Sequence, residues 1–99
     1  MRLERDFQPT LIKEIETIFP GCLVLKGDSA RRQGIPDLII LYQDKWAALE
    51  VKKSANEKAR PNQPYYVDKM NEMSYSSFIY PENKEAVLRE LQQAFSSIR

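Results

Sequence analysis

Two apolar runs near the middle of the chain, separated by a short polar stretch, constrain the fold more than any other feature. Leu38–Tyr42 is apolar on both faces, residues 43–45 are turn-like, and residues 46–52 resume the character of a strand. Strands that are apolar on both faces are typical of the interior of a sheet that is covered on both sides. The pattern therefore predicts a β-hairpin in the middle of a sheet.

The segments on both sides of this hairpin alternate between helical and extended patterns. Apolar residues recur at helical spacing before Pro20 and Gly21, and a second helical stripe near the end of the chain includes Val87, Leu88 and Leu91. The predicted order is a helix at 9–19, a buried strand at 22–26, a polar loop at 27–34, the hairpin, a helix at about 65–73, a strand at 77–80, and a final helix. This order, αββ(β)αβα, predicts an α/β fold with a mixed α+β sheet.

Length and composition predict one domain without a membrane segment. The 99 residues are 42% apolar, which suits a single core, so we expect one domain over residues 1–99. Fifteen basic residues stand against 14 acidic ones, so any surface for nucleic acid must be local. The first residues lack the apolar core of a signal peptide, and no run approaches the roughly 18 apolar residues of a membrane span. We therefore expect a cytoplasmic protein.

The absence of histidine limits the chemistry that the chain can perform. With no histidine and one cysteine, Cys22, the sequence excludes an intramolecular disulfide, the usual Cys/His zinc sites and every triad that uses histidine. Catalysis must then rest on carboxylates, lysine, hydroxyl groups or a hard metal ion.

Three charged residues on the predicted hairpin are the candidates for such chemistry. Glu50 and Lys52 are two positions apart in one strand, so their side chains share a face. Asp37 precedes the other strand, and the short hairpin connection brings it close to Glu50 across the ladder. Two carboxylates and one lysine are therefore expected to converge.

This convergence predicts a site for a divalent metal ion. The carboxylates of Asp37 and Glu50, with the backbone carbonyl of Val51 and several waters, offer the hard oxygen ligands that Mg²⁺ or Mn²⁺ prefers. Such an ion polarises a phosphodiester and lowers the pKa of a bound water. Lys52 would orient or deprotonate that water, or neutralise charge that develops on the phosphate.

The same residues match a known pattern. Gly34-Ile-Pro-Asp-Leu-Ile-Ile and Leu49-Glu-Val-Lys resemble the two halves of the PD-(D/E)XK nuclease signature, and the 12 residues between Asp37 and Glu50 are a spacing typical of that superfamily. Within it, the chain is most similar to the compact VRR-type (VRR-NUC) nucleases, many of them phage-encoded. Those nucleases carry a glutamine on the next helix, and Gln63 matches that position. The resemblance extends over nearly the whole chain.

The resemblance implies a restriction-endonuclease-like core and a Mg²⁺-dependent DNA endonuclease in which Asp37, Glu50, Lys52 and Gln63 serve the site. The compact members resemble junction resolvases that act as homodimers on branched DNA. The likeness therefore also implies a homodimer that cleaves structures such as four-way (Holliday) junctions in a bacterial or phage-infected cell. The alternative is a nuclease-fold module that grips DNA or a partner protein without cutting.

The first helix leaves one site residue open. The family commonly places an acidic residue there, and Glu14 borders the apolar stripe of the predicted helix. Gln8 is the alternative, and it would leave the metal with one carboxylate fewer.

Basic residues lie in the two loops that flank the predicted site. They are Lys26, Arg31, Arg32, Lys53, Lys58 and Arg60. Such side chains bind phosphates without reading bases, so we expect DNA binding that depends on salt and on shape.

Overall fold

The computed structural model describes the backbone of residues 4–28 and 31–96, and the side chains of residues 7–28 and 31–96. Seven elements follow one another: α1 (Glu4–Ile18), β1 (Leu23–Lys26), β2 (Leu38–Tyr42), β3 (Lys45–Val51), α2 (Gln63–Met73), β4 (Tyr75–Ile79) and α3 (Lys84–Ser96). The order αβββαβα confirms the predicted α/β class with a mixed sheet. Three strands precede the middle helix.

Helix α1 begins at Glu4, upstream of the predicted start at residue 9. Proline is typical of a first helical turn because its missing N–H has no partner there, yet Pro9 lies inside this helix on an exposed position. Buried Phe7 explains the longer helix, since it continues the core-facing stripe of Leu11 and Ile15 by one turn. No helix in residues 4–28 and 31–96 combines the length and apolar character needed to cross a membrane.

The four strands form one sheet in the order β1-β2-β3-β4. β2 pairs antiparallel with both β1 and β3, so the predicted hairpin occupies the two central positions. After a crossover through α2, β4 pairs parallel with β3. The hairpin register sets Leu38 opposite Leu49, so Asp37 and Glu50 occupy the next positions at its open end.

One face of the sheet packs against α1 and α3 to form the main core. Leu38 and Leu49 are fully buried in it, together with side chains from both helices. Phe19, Tyr42 and Phe95 meet at one end of this core, with ring centroids 5.0 to 5.6 Å apart. Contacts of this kind add about 0.5–1.5 kcal/mol per pair to the burial of apolar area.

The opposite face of the sheet is covered only in part. Helix α2 packs mainly over β3 and β4, with Val67 buried. The strand register places large apolar side chains on the rest of this face, which we call the apolar sheet face: Leu23, Leu25, Ile39, Leu41 and Trp46. Leu23–Lys26 does form the strand predicted at 22–26, but the prediction that this strand is buried is wrong. Leu23 is 60% and Leu25 48% exposed, because β1 lies at the edge of the sheet beyond the cover of α2.

Candidate active site

Asp37 is held at the open end of the hairpin by contacts on both sides. Its backbone carbonyl accepts a hydrogen bond from the N–H of Gly27 at 2.7 Å, which extends the β1–β2 ladder by one position. Gly27 is required there because a Cβ atom would lie 2.2 Å from the carbonyl oxygen of Pro36. On the other side, Asp37 Oδ2 accepts the N–H of Val51 at 2.9 Å. The Asp37 carboxylate is thereby fixed against the end of β3.

Glu50, Lys52 and Gln63 form a buried polar network beside Asp37. Gln63 Nε2 donates to Glu50 Oε2 at 2.8 Å, and Lys52 Nζ donates to Gln63 Oε1 at 2.5 Å. The ammonium group of Lys52 also lies 3.8 Å from Glu50 Oε2. The side chains of both charged residues are only 4% exposed, so this pair is removed from bulk water. Buried ionic groups rarely stabilise a fold, which makes such a network a candidate for function.

Helix α2 brings Gln63 to this network from its first turn. Pro64 lies beside Gln63 at the start of the helix, where its missing N–H leaves no hydrogen bond unmade. The preceding Asn62 has a left-handed backbone with φ of 73°, and it packs against Gly34 so closely that a Cβ at Gly34 would lie 2.6 Å from the Asn62 Cβ. The N–H of Arg60 also donates to Gln63 Oε1 at 2.7 Å. The loop before α2 and the loop before β2 thus meet at the site.

The electrostatics of Glu50 are unusual for a carboxyl group. The pKa of Glu50 is raised from 4.5 to about 8, first by burial and next by the neighbouring Asp37 charge, while Lys52 opposes the rise. Within the described residues, Glu50 Oε1 is buried without a hydrogen-bond partner. Because the adjoining Asp37 carboxylate is also an acceptor, contact between the two requires a proton or a cation between them.

A cleft of about 680 Å³ opens at this end of the sheet. It is lined by Phe7 and Gln8 of α1, by Gln33, Gly34, Ile35 and Asp37 before β2, by Glu50, Val51, Lys52 and Lys53 at the end of β3, and by Glu57, Arg60, Pro61 and Gln63 of the following loop and helix. The predicted Asp37, Glu50, Val51, Lys52 and Gln63 therefore all lie in one cleft.

The donor set fits a hard divalent cation. Asp37 and Glu50 are neighbouring carboxylates. Glu50 Oε1 is buried and has no hydrogen-bond partner among the described residues, so it is available to bind a cation. Residues 7–28 and 31–96 contain no group of three or more His, Cys, Asp or Glu side chains arranged to hold a metal. Mg²⁺ commonly uses one or two protein carboxylates and takes its remaining ligands from water and phosphate. The two carboxylates, with the backbone carbonyl of Val51 in the same cleft, match this usual set of protein ligands.

The structure does not bring Glu14 to the cleft. Its carboxylate accepts a hydrogen bond from Lys84 of α3 at 2.8 Å, and it does not line the cavity. Gln8 lines the cleft instead, so the alternative left open by the sequence is the one that the structure favours. The physical reason is helical geometry: Glu14 lies between the core stripe and α3, almost two turns from the end of α1 that reaches the site.

The six predicted basic residues are all exposed, but they are not equally close to the cleft. Lys53 and Arg60 line it. Arg32 donates to the hydroxyl of Tyr66 at 3.3 Å, which ties the loop before β2 to helix α2. The remaining three, Lys26, Arg31 and Lys58, do not line the cavity.

Sequence reasoning missed Glu57, a carboxylate that the loop after β3 turns into the cleft. Its Oε1 accepts the N–H of Lys53 at 2.7 Å, and its Oε2 lies 3.9 Å from Lys52 Nζ. The string Ser54-Ala-Asn-Glu57 has the Ser-x-x-Glu spacing of a capping box, in which the glutamate reaches back to the N–H of the serine. Here Glu57 reaches one residue further, to the N–H of Lys53.

Comparisons with known proteins support the fold. No family model matches the chain, and no curated protein matches it either. A solved structure described as a VRR_NUC domain protein is similar with a TM-score of 0.67, over 94% of this chain and 90% of that chain, at 17% sequence identity. At this identity the likeness concerns the fold. The chain thus has a mixed α/β fold similar to that of the VRR_NUC domain protein.

Proposed function

We propose that this chain is a metal-dependent DNA endonuclease of the PD-(D/E)XK type, which hydrolyses phosphodiester bonds. The observation that carries the proposal is the convergence of Asp37, Glu50 and Lys52 in one cleft, where Gln63 bridges the glutamate and the lysine. The fold likeness to a VRR_NUC domain protein supports the same conclusion from an independent direction.

Each residue of the cleft has a distinct role in this proposal. Asp37 and Glu50 would hold Mg²⁺ or Mn²⁺, with the Val51 carbonyl as a further ligand. When bound, the ion polarises the phosphodiester and lowers the pKa of a water ligand. Lys52 keeps its ammonium group beside the carboxylates, where it can neutralise charge that develops on the phosphate. Gln63 orients both Glu50 and Lys52 through its amide.

The proposed substrate is DNA, bound mainly through its phosphates. Lys53 and Arg60 border the cleft, and the other predicted basic residues are exposed in the same two loops or beside them. Contacts of this type are sensitive to salt and insensitive to sequence, which suits a substrate selected by shape, such as a four-way junction. We propose that it acts on this substrate in the cytoplasm of a bacterial or phage-infected cell.

We further propose that the protein works as a homodimer. The five side chains of the apolar sheet face are uncharged, so a second copy could cover them without burying an unpaired charge. Exposed apolar patches of this kind mark interaction surfaces. Replacing Leu23 and Leu25 by lysine should shift light scattering from dimer to monomer, whereas Thr17→Lys, an exposed change on α1, should not. A wild type that is monomeric and fully active would exclude the dimer.

The experiment that tests the activity is cleavage of a labelled four-way junction and a matched linear duplex in Mg²⁺, Mn²⁺ or EDTA. Glu50→Ala and Lys52→Ala should lower metal-dependent cleavage by at least about 100-fold while the fold is retained. Lys69→Ala, which removes an exposed lysine of α2 outside the cleft, is the matched control and should cut like the wild type. A folded Lys52→Ala variant with wild-type activity would contradict the proposed mechanism.

One observation favours a second candidate, a module that binds DNA without cutting it. Helix α1 presents Gln8 to the cleft and leaves Glu14 paired with Lys84, so the cation would have one carboxylate fewer than the family commonly supplies. Binding without turnover in every metal, including Mn²⁺, would establish this alternative.

A further inference from the structure

We infer that Glu57 is a positioning residue of the cleft, which holds the ammonium group of Lys52 in place by its charge. The inference rests on the proposed function, since it assigns a role within the same site. It begins from an unexpected burial: Glu57 belongs to a polar loop, yet its side chain is only 25% exposed. A loop glutamate is ordinarily solvated, so a specific set of contacts must hold this one in the cleft.

Local hydrogen bonds turn Glu57 back toward the end of β3. The N–H of Glu57 donates to the carbonyl of Ser54 at 3.2 Å, and the N–H of Asn56 donates to the Ser54 hydroxyl at 3.2 Å. Glu57 Oε1 then accepts the N–H of Lys53 at 2.7 Å. This turn fixes the carboxylate beside the backbone position that follows Lys52.

The second oxygen of Glu57 faces Lys52. Glu57 Oε2 lies 3.9 Å from Lys52 Nζ, and Glu50 Oε2 lies 3.8 Å from the same nitrogen. The ammonium group is therefore flanked by two carboxylates, while Gln63 accepts its hydrogen bond and the Phe78 ring centroid lies 5.9 Å away. Lys52 is buried, so these neighbours replace the water that would otherwise solvate its charge.

The two carboxylates are not equivalent in the proposed reaction. Glu50 is a proposed metal ligand, and a carboxylate whose charge is shared with a cation attracts a neighbouring ammonium group less strongly. Glu57 comes from the loop after β3 and does not belong to the Asp37–Glu50 pair. It would thus remain available to Lys52 if Glu50 held a metal ion.

Glu57 also places a negative charge in the cleft that the phosphate of the proposed substrate would enter. A carboxylate in the cleft weakens the binding of a polyanion, both by direct repulsion and by engaging Lys52. Positioning Lys52 therefore opposes ground-state binding of DNA, and the two effects of Glu57 have opposite signs. Loss of the Glu57 charge should therefore strengthen DNA binding and weaken catalysis. A residue that only shaped the loop would not produce these two opposite effects.

The test compares Glu57→Gln, Glu57→Ala and the control Glu72→Gln, which removes an equal charge from an exposed position of α2. Glutamine keeps an oxygen that can accept the Lys53 N–H but has no charge. Glu57→Gln should bind four-way junction DNA about three- to tenfold tighter in EDTA, and its kcat in Mg²⁺ should fall at least about tenfold without a rise in KM. Glu72→Gln should change neither quantity by more than about twofold. Thermal unfolding of each variant monitors the fold.

A second comparison asks whether Glu57 acts through Lys52. In a Lys52→Met background, the gain in DNA affinity from Glu57→Gln should fall to less than about half, because no ammonium group is left to release. If glutamine restores wild-type kcat while alanine does not, Glu57 only shapes the loop and the inference is overturned. It is also overturned if the affinity gain is unchanged without Lys52. If the wild type neither binds nor cuts DNA, the proposed function fails, and this inference fails with it.

Discussion

Replacing Glu50 by glutamine tests the electrostatics of the cleft in the metal-free protein. The substitution keeps the size of the side chain and its contact with Gln63, but it removes a charge that burial and the neighbouring Asp37 strongly oppose. In the folded protein the pKa of Glu50 is raised to about 8, whereas the unfolded chain has the ordinary value of 4.5. The two states therefore bind protons differently between these pH values.

The sign of the effect follows from proton linkage. Below pH 4.5, Glu50 is protonated in both states and its raised pKa contributes fully to the stability of the folded protein. As the pH rises from 4.5 toward 8, the unfolded state ionises first, so stability is lost by about 1.36 kcal/mol per pH unit. Over this interval the loss amounts to about 4 to 5 kcal/mol, a large share of the roughly 5–15 kcal/mol by which domains are stable.

Urea unfolding in EDTA at several pH values between 4.5 and 8.5 measures this loss. The wild type should lose stability toward pH 8 relative to Glu50→Gln, and the difference between the two should grow by several kcal/mol. Saturating Mg²⁺ or Mn²⁺ should restore the wild type near pH 8, because a cation between Asp37 and Glu50 replaces the proton. The same metal ions should raise the free energy of unfolding of Glu50→Gln much less. Parallel pH profiles for the two proteins would refute the assignment of Glu50 as the destabilised carboxyl.

Three further substitutions test the packing around the site and the core. Gln63→Ala removes the hydrogen bond to Glu50 and should lower the free energy of unfolding by about 1–3 kcal/mol, measured with urea at pH 7. If no stability is lost, water has replaced the Gln63 amide in the buried network. Gly34→Ala should lower it by about 1–3 kcal/mol, because φ is +95° and the new Cβ would lie 2.6 Å from that of Asn62. An unchanged urea midpoint would contradict this close contact. Phe95→Ala should destabilise by about 3–5 kcal/mol in the same assay, and a change below about 1 kcal/mol would show that the core refills the space.

Much of the fold could be predicted because the relevant signals are local. The apolar character of Leu38–Tyr42, the helical stripes and the prolines depend on neighbours along the chain, and the structure confirms the elements in the predicted order. The wrong predictions concern where helix α1 begins and whether strand β1 is buried. Pro9 resembles a helix start although buried Phe7 extends α1 past it, and β1 was expected to be buried although it lies at the sheet edge.

The residues of the site also fall into those that local sequence signals predict and those that depend on tertiary packing. The spacing of Asp37, Glu50 and Lys52 follows from strand periodicity and hairpin register, so the sequence could predict that these residues meet. The contacts of Glu14 and Glu57 depend instead on how α3 and the loop after β3 pack against the rest of the molecule. The Ser-x-x-Glu string indicates a local turn at Glu57, but no period or spacing shows whether a glutamate contacts a helix or a cleft.

The sequence by itself determined the mixed α/β class, the central hairpin and the charged residues that share one of its faces, because side-chain direction alternates along a strand whatever surrounds it. Only the tertiary structure decided which residues complete the cleft and how burial and neighbouring charges affect the ionisation of Glu50. It joined Gln63 to both Glu50 and Lys52, excluded Glu14, brought in Glu57 and buried Glu50 beside Asp37. These outcomes depend on contacts between distant segments and on the exclusion of water, and neither is encoded in the neighbours of a single residue.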